Sequence, residues 1–207
     1  LFMSFFILLS LMYPFFARFE LKTIETREVV LLAVLAAIAA VSRVPFAGLP
    51  SVQPTSFVII MTGLVFGAES GFIVGAIAAL VSNIFLGQGP WTPWQMYAWG
   101  MMGMSAGLLR NQVWMATLWG KTIFGFIWGF VFGWFMNIWI IVSNISGFSW
   151  AFVIGVYVTS VSHDLAHALS NVFFILVFSS SWLRMMERFK RKYGLLDSEL
   201  KIKNTHP

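Results

Sequence analysis

The chain alternates long apolar stretches with short polar interruptions. The apolar stretches cover residues 2–17, 29–41, 55–66, 72–86, 95–109, 122–142 and 150–182. Between residues 29 and 183, the charged side chains are Arg43, Glu69, Arg110, Lys121 and Asp164. A charge at the centre of a bilayer costs at least ~2.5–3.5 kcal/mol. Each of these residues therefore either lies where the chain leaves the hydrocarbon layer or has a function within it. The pattern predicts an all-α integral membrane protein of several helices.

The composition agrees with this class. Charged residues make up 10% of the chain, whereas a soluble domain has roughly 25%. At about 20 residues per crossing, the length of 207 residues allows roughly six or seven helices in one domain. The apolar stretches are too long for the strands of an outer-membrane barrel and lack their alternation. The chain has no cysteine, which excludes disulfides and thiolate metal sites.

We divide the chain into an N-terminal hydrophobic helix at 1–20, a membrane domain at 27–183 and a basic tail at 184–207. The first stretch is unlike a secretory signal, because its basic residue Arg18 follows the apolar run instead of preceding it. It predicts an additional spanning helix. The basic run of the tail is typical of a cytoplasmic anchor rather than of a nucleic-acid-binding segment.

Lysine and arginine residues predict the orientation. Twelve of the 13 fall at residues 18–27, 110–121 or 184–203, and Arg43 is the exception. The positive-inside rule places that basic side, and with it the C-terminus, in the cytoplasm. The connections at 43–54, 87–94 and 143–149 then face outward together.

These three outward connections are rich in Pro, Gly, Trp, Gln and Asn, which makes them a candidate ligand mouth. Trp91 and Trp94 are alternatively only interfacial anchors, which is the commoner role of tryptophan. The neutral amides suit a large, flat or amide-bearing ligand better than a small ion. The candidate substrate-binding residues are Arg43, Gln53, Asn83, Gln88, Trp91, Trp94, Gln95 and Asn144.

The second apolar stretch has alanines at four-residue spacing. Ala33 and Ala37 share one face of a helix, and Ala36 and Ala40 share the next. Small residues at this spacing let helix backbones approach closely in lipid. The pattern fits packing inside the bundle or a docking face for another protein, and spacing alone favours packing. Similar glycine stripes at 71–79 and 125–133 are interpreted as internal packing.

His163, Asp164 and His167 fall inside the last apolar stretch. Two histidines at i and i+4 face the same way, as in the zinc-binding HExxH pair. This spacing suggests a hypothesis from a different functional class, an intramembrane metalloenzyme. It is disfavoured because Asp replaces the usual Glu and a third protein ligand is missing. Otherwise these polar groups either bond across helices, with Asn137, Asn171 or Ser160 as partners, or line a solvated cavity.

Several segments together resemble a known family. They are the alanine-rich stretch, Arg43-Val-Pro-Phe, the Pro54-Thr-Ser run, Gly67-Ala-Glu-Ser-Gly-Phe and the tryptophan-containing segment 87–96. Over about residues 27–171 the chain resembles the substrate-binding S components of energy-coupling factor (ECF) transporters, and it looks most like the cobalamin-specific ones. The segment 2–17 is additional to the usual six helices.

The resemblance implies a six-helix bundle in a prokaryotic plasma membrane. It also implies a non-enzymatic subunit that binds cobalamin or a corrinoid precursor at its outward face, as cargo and not as cofactor. Another vitamin, a modified base or a metal ion are the alternative cargoes. The implied partners are a membrane T component and two cytoplasmic ATPases. The family's alanine docking motif matches Ala33 and Ala37, with Ala36 and Ala40 in a parallel register, which raises the docking interpretation above packing.

Overall fold

The chain folds into α-helices joined by short connections. The computed structural model describes residues 2–20 and 25–194, and the side chains of this part apart from those of residues 2–5, 7, 18 and 19. The described part contains no strand, which confirms the all-α prediction. The helices are α1 (Phe2–Glu20), α2 (Thr26–Val41), α3 (Pro54–Phe66), α4 (Ala68–Leu86), α5 (Thr92–Leu109), α6 (Val113–Ala116), α7 (Leu118–Ser143) and α8 (Trp150–Tyr193).

Four segments are long and apolar enough to cross a membrane, judged by length and composition. They are Thr26–Phe46, Ala68–Leu86, Leu118–Ser143 and Trp150–Tyr193. The first of them includes the short 3₁₀ turn Val44–Phe46, which extends α2. The described part of the chain is therefore a multi-pass membrane protein.

The last helix is longer than the apolar pattern predicts. It continues past residue 182 through the basic residues to Tyr193 and has 44 residues. At 1.5 Å per residue it measures about 66 Å, roughly twice the thickness of the hydrocarbon layer. The basic tail therefore begins as a continuation of α8, and residues 195–207 of the predicted tail lie outside the described part.

Helix α3 is the centre of the bundle. It packs against α2, α4, α5 and α8, and all of its 13 residues except Leu64 are buried. Pro54 occupies its first turn, where backbone N–H groups have no acceptor within the helix, so the missing N–H of proline costs no hydrogen bond. At about 20 Å the helix is too short to span the hydrocarbon alone, but the surrounding helices bury it. Gly67, at φ +94°, ends α3 and leads directly into α4.

Glycines hold two helix pairs at close range. Gly71 of α4 and Gly103 of α5 face each other, and a Cβ on either would collide with the partner's backbone. Gly129 of α7 lies in the same way against the backbone of Ala168 in α8. The prediction that the two glycine stripes serve internal packing is confirmed.

The helix connections segregate to the two ends of the bundle. The α2–α3, α4–α5 and α7–α8 connections share one end, here called the loop end. The opposite end, called the basic end, carries the α3–α4 turn, the α5–α7 region and the end of α8. There Lys190 donates to the carbonyl of Val65 at 3.2 Å, and Lys121 donates to the carbonyl of Ala116 at 2.8 Å. Both cations cover carbonyls at the C-terminus of a helix, where the helix dipole favours positive charge.

Candidate substrate-binding site

A cavity of about 450 Å³ lies at the loop end, between α7, α8 and the α2–α3 connection. We call it the α7–α8 cavity. Its apolar lining comes from Phe132, Met136, Ile140 and Val156. Its polar lining comes from Ser51, Gln53, Asn137, Thr159, Ser160, His163, Asp164 and His167. A mostly apolar space with several polar groups is the usual composition of a small-molecule site.

One wall of the cavity is a chain of hydrogen bonds between α7 and α8. The Asn137 amide donates to the Ser160 hydroxyl at 2.7 Å, and that hydroxyl donates to Asp164 Oδ2 at 3.0 Å. Asp164 is only 4% exposed. Its carboxyl group lies directly against Gly133 of α7, where a Cβ would collide with it. A glycine at this position is therefore what lets an acidic side chain lie between the two helices.

The base of the cavity is organised by the buried hydroxyl of Ser56 in α3. His167 Nε2 of α8 lies 2.7 Å from this hydroxyl, and the indole N–H of Trp99 in α5 donates to it at 3.1 Å. The edge of Phe132 also packs on the His167 ring, with centroids 5.0 Å apart. Ser56 thus connects three helices through one oxygen, in a region where an unpaired polar group would be costly.

A second polar network lies beside Trp99 and is centred on Arg43. The guanidinium lies over the Trp99 ring, 4.8 Å from its centroid. It donates to the Ser82 hydroxyl at 2.6 Å and to Asn83 Oδ1 at 3.1 Å. The Asn83 amide in turn donates to Gln95 Oε1 at 2.7 Å. Arg43 is therefore held by neutral dipoles and an aromatic face.

The α4–α5 connection is fixed by the same network. The Asn83 amide also donates to the Thr92 hydroxyl at 2.9 Å, and that hydroxyl donates to Gln88 Oε1 at 3.0 Å. The Gln88 amide donates to the carbonyl of Leu80 at 2.9 Å. These bonds close the connection back onto the end of α4. Its polar side chains hold each other and give the loop end a defined shape.

A model of one protein family matches residues 23–133, slightly more than half of the chain. The family is described as "ECF-type riboflavin transporter, S component". The chain belongs to this family of S components. The match covers α2 to α6 and more than half of α7, and it ends before α8. It therefore includes Arg43, Ser56 and Trp99 but not Asp164 or His167.

Curated relatives of this S component carry the name UPF0397 protein. The one from Vibrio atlanticus (strain LGP32) is 32% identical over 89 residues, which is 41% of this chain and 48% of the relative. The one from Aliivibrio fischeri (strain MJ11) is 30% identical over 90 residues, 41% of this chain and 49% of the relative. The chain spans about half the length of the curated relatives that it matches. No solved structure matches it.

The structure brings together part of the substrate site predicted from the S component's sequence. Four predicted residues, Arg43, Asn83, Gln88 and Gln95, belong to one hydrogen-bond network. Gln53 lines the α7–α8 cavity.

The four residues of that network do not line the α7–α8 cavity, and neither do the other three predicted residues. Trp94 is buried against Phe135, with centroids 5.4 Å apart. Trp91 is partly buried, and its ring lies beside Gly89. Asn144 is exposed and donates to the carbonyl of Ile140 at 2.9 Å.

Sequence reasoning named Asn137 and Ser160 as candidate partners of the polar patch, but it missed Ser56 behind the cavity. Ser56 looks like an ordinary polar residue of an apolar helix, and its partner His167 lies 111 residues away in the sequence. Asp164 and His167 did give a signal, because an ionisable residue within a membrane span is a functional candidate by default.

Among the residues that the structure describes, no three His, Cys, Asp or Glu side chains come together to hold a metal ion. His167 Nε2 is bonded to Ser56, and His163 is exposed beside Ser162. These positions do not support the metalloenzyme hypothesis. The patch bonds across helices through His167 and Ser56, and it also lines a cavity. Of the predicted partners, Ser160 bonds to Asp164 within α8, whereas Asn171 donates to the carbonyl of Gly125.

The structure separates the two alanine registers of α2. Ala36 and Ala40 are buried in the bundle, whereas Ala33 and Ala37 are exposed. A groove between α2 and the end of α8 is lined by other residues of α2, among them Val30 and Val34, and by neither exposed alanine. One register therefore serves internal packing, and the other leaves a smooth face uncovered.

The Ser56 bonds give a test of the base of the cavity. Ser56→Ala removes the oxygen that both His167 and Trp99 use, and leaves two buried ring nitrogens without a partner. We expect it to destabilise the fold by about 1–3 kcal/mol. A lower melting temperature of the purified protein would show this, with Ser162→Ala as the matched control at an exposed serine. Equal melting temperatures for both variants would contradict the assigned role of Ser56.

Proposed function

We propose that this chain is the non-enzymatic substrate-binding subunit of an ECF-type importer, and that its ligand occupies the α7–α8 cavity. The observation that carries the proposal is a partly polar cavity at the loop end of a family member whose helices are otherwise apolar. The basic residues at the other end favour a cytoplasmic C-terminus. The ligand would then enter from outside the cell.

Riboflavin is the first cargo to test. The family description names it, and a volume of about 450 Å³ falls in the range of sites for ligands of that size. Phe132, Met136 and Ile140 give the cavity an apolar wall for a flat ring, and the polar wall faces the same space. We therefore propose a flat heteroaromatic vitamin with a polar side chain as the substrate class.

Cobalamin, or a corrinoid precursor, is the second candidate. A corrinoid is several times larger than a flavin and would need more than the α7–α8 cavity. A second cavity of about 410 Å³ lies on the other side of the α2–α3 connection and shares Ser51 and Gln53 with the first. Displacement of that connection would join the two spaces, whose linings together include the side-chain amides of Gln53 and Asn137.

Binding to the purified chain discriminates the cargoes. We expect riboflavin to bind saturably to the wild type, with a heat signal measured by isothermal titration calorimetry. Thr159→Trp, which fills the cavity, should abolish the signal. Val158→Trp, on the exposed face of the same helix, should leave it unchanged.

Equal binding by both tryptophan variants would contradict the α7–α8 cavity as the site. Saturable binding of cobalamin and none of riboflavin would reverse the order of the cargoes.

We propose that the exposed alanine face of α2 docks a membrane T component carrying two cytoplasmic ATPases. Ala33 and Ala37 are exposed within an apolar span, and small side chains let a partner helix approach closely. The packing of Ala36 and Ala40 supports the assignment of docking to the other register.

The docking proposal predicts a separation of binding from transport. Ala33→Trp combined with Ala37→Trp should reduce uptake to background in cells that supply the T component and ATPases, and ligand binding to the purified variant should persist. Leu169→Trp on the exposed face of α8 is the control and should transport normally. Normal uptake by the double variant would contradict the docking assignment.

A further inference from the structure

The α7–α8 cavity presents hydrogen-bond acceptors to a ligand. Gln53 Oε1 is buried and accepts no hydrogen bond from the described residues, although Gln53 lines the cavity. The backbone N–H of the same residue donates to the Ser170 hydroxyl at 3.0 Å, which fixes its position at the start of α3. A buried carbonyl oxygen without a donor is costly, so a ligand that supplies the donor would gain affinity here.

The donors of Asn137, Thr159 and Ser160 in the cavity wall are engaged within the protein. The Asn137 amide donates to Ser160, and the Ser160 hydroxyl lies within reach of Asp164 Oδ2 and of the Tyr157 carbonyl. The Thr159 hydroxyl donates to the carbonyl of Gly155 at 2.8 Å. A hydroxyl has a single proton. These three side chains therefore leave few protons to offer to a ligand.

Asp164 is the acidic residue of the cavity lining. One carboxyl oxygen accepts from Ser160, and Oδ1 lies against Gly133 without a hydrogen bond from the described part of the chain. The Arg43 guanidinium is turned toward Ser82 and Asn83. The nearby histidines are His163, which is exposed, and His167, which is bonded to Ser56. The carboxylate has no bonded cation among these groups.

We propose that Asp164 and Gln53 determine the specificity of this cavity by accepting hydrogen bonds from the cargo's hydroxyl or N–H groups. This inference rests on the proposed substrate-binding function and narrows its substrate class. The cargo carries several donors on its polar part and no negative charge there. For a flavin, the hydroxylated side chain of riboflavin satisfies this requirement, and the phosphate of flavin mononucleotide would face a carboxylate in a poorly hydrated site.

The test compares riboflavin with flavin mononucleotide on the full chain by calorimetry. The wild type should bind riboflavin at least about tenfold more tightly, because hydrogen bonds to a charged group contribute strongly and like charges repel. Asp164→Asn should weaken riboflavin binding by about tenfold or more and should narrow the gap between the two ligands. Gln53→Leu should weaken riboflavin binding by a smaller factor. Gln112→Leu, at the basic end, is the matched control and should bind as the wild type does.

The outcomes separate the two proposals. No riboflavin binding by the wild type would overturn riboflavin as cargo and this inference with it. Wild-type affinities in both Asp164→Asn and Gln53→Leu, or equal affinities of the wild type for the two flavins, would overturn the inference alone. Melting temperatures measured without ligand identify a variant that fails to fold. If Asp164→Asn fails to fold, the riboflavin affinity of Gln53→Leu tests the inference, because the backbone N–H of residue 53 still donates to Ser170 when the side-chain amide is removed.

Discussion

The structure depends on one constraint, which is that polar groups inside a bilayer must find their partners within the protein. The buried hydroxyl of Ser56 shows how the chain meets it, since this oxygen contacts His167 and Trp99 from two other helices. The Arg43 network meets the same constraint with neutral amides and a tryptophan face. The bonds that stabilise the bundle therefore also shape its polar cavity.

Close backbone contact makes that arrangement possible. The glycine contacts of α4 with α5 and of α7 with α8 produce two tight helix pairs on either side of the buried α3. Gly133 of α7 has no side chain, and the carboxyl group of Asp164 occupies the space beside it, between α7 and α8. The cavity forms where these two helices meet the α2–α3 connection. Its two acceptors come from different elements, Asp164 from α8 and Gln53 from the α2–α3 connection.

Local sequence patterns predicted the helices and the loop end well. The length of an apolar stretch and the positions of its flanking charges can be read from neighbouring residues, and a charge or an unpaired backbone group in lipid costs several kcal/mol. The four-residue spacing of alanines predicted a face but not which register was free, since burial depends on neighbours elsewhere in the chain. The Ser56–His167 bond joins positions 111 residues apart, and no local pattern contains such a pair. The same limit explains why, of the eight residues predicted at the ligand site, Gln53 alone lines the α7–α8 cavity.

The most direct test of this account is the side of the membrane on which the loop end lies. The chain has no cysteine, so single cysteines introduced at Ser146 and at Arg191, both exposed, report the two ends without background. In intact cells a membrane-impermeant maleimide should label Ser146→Cys, and it should label Arg191→Cys only after permeabilisation. The reverse pattern would place the cavity mouth in the cytoplasm and would contradict capture of a ligand from outside.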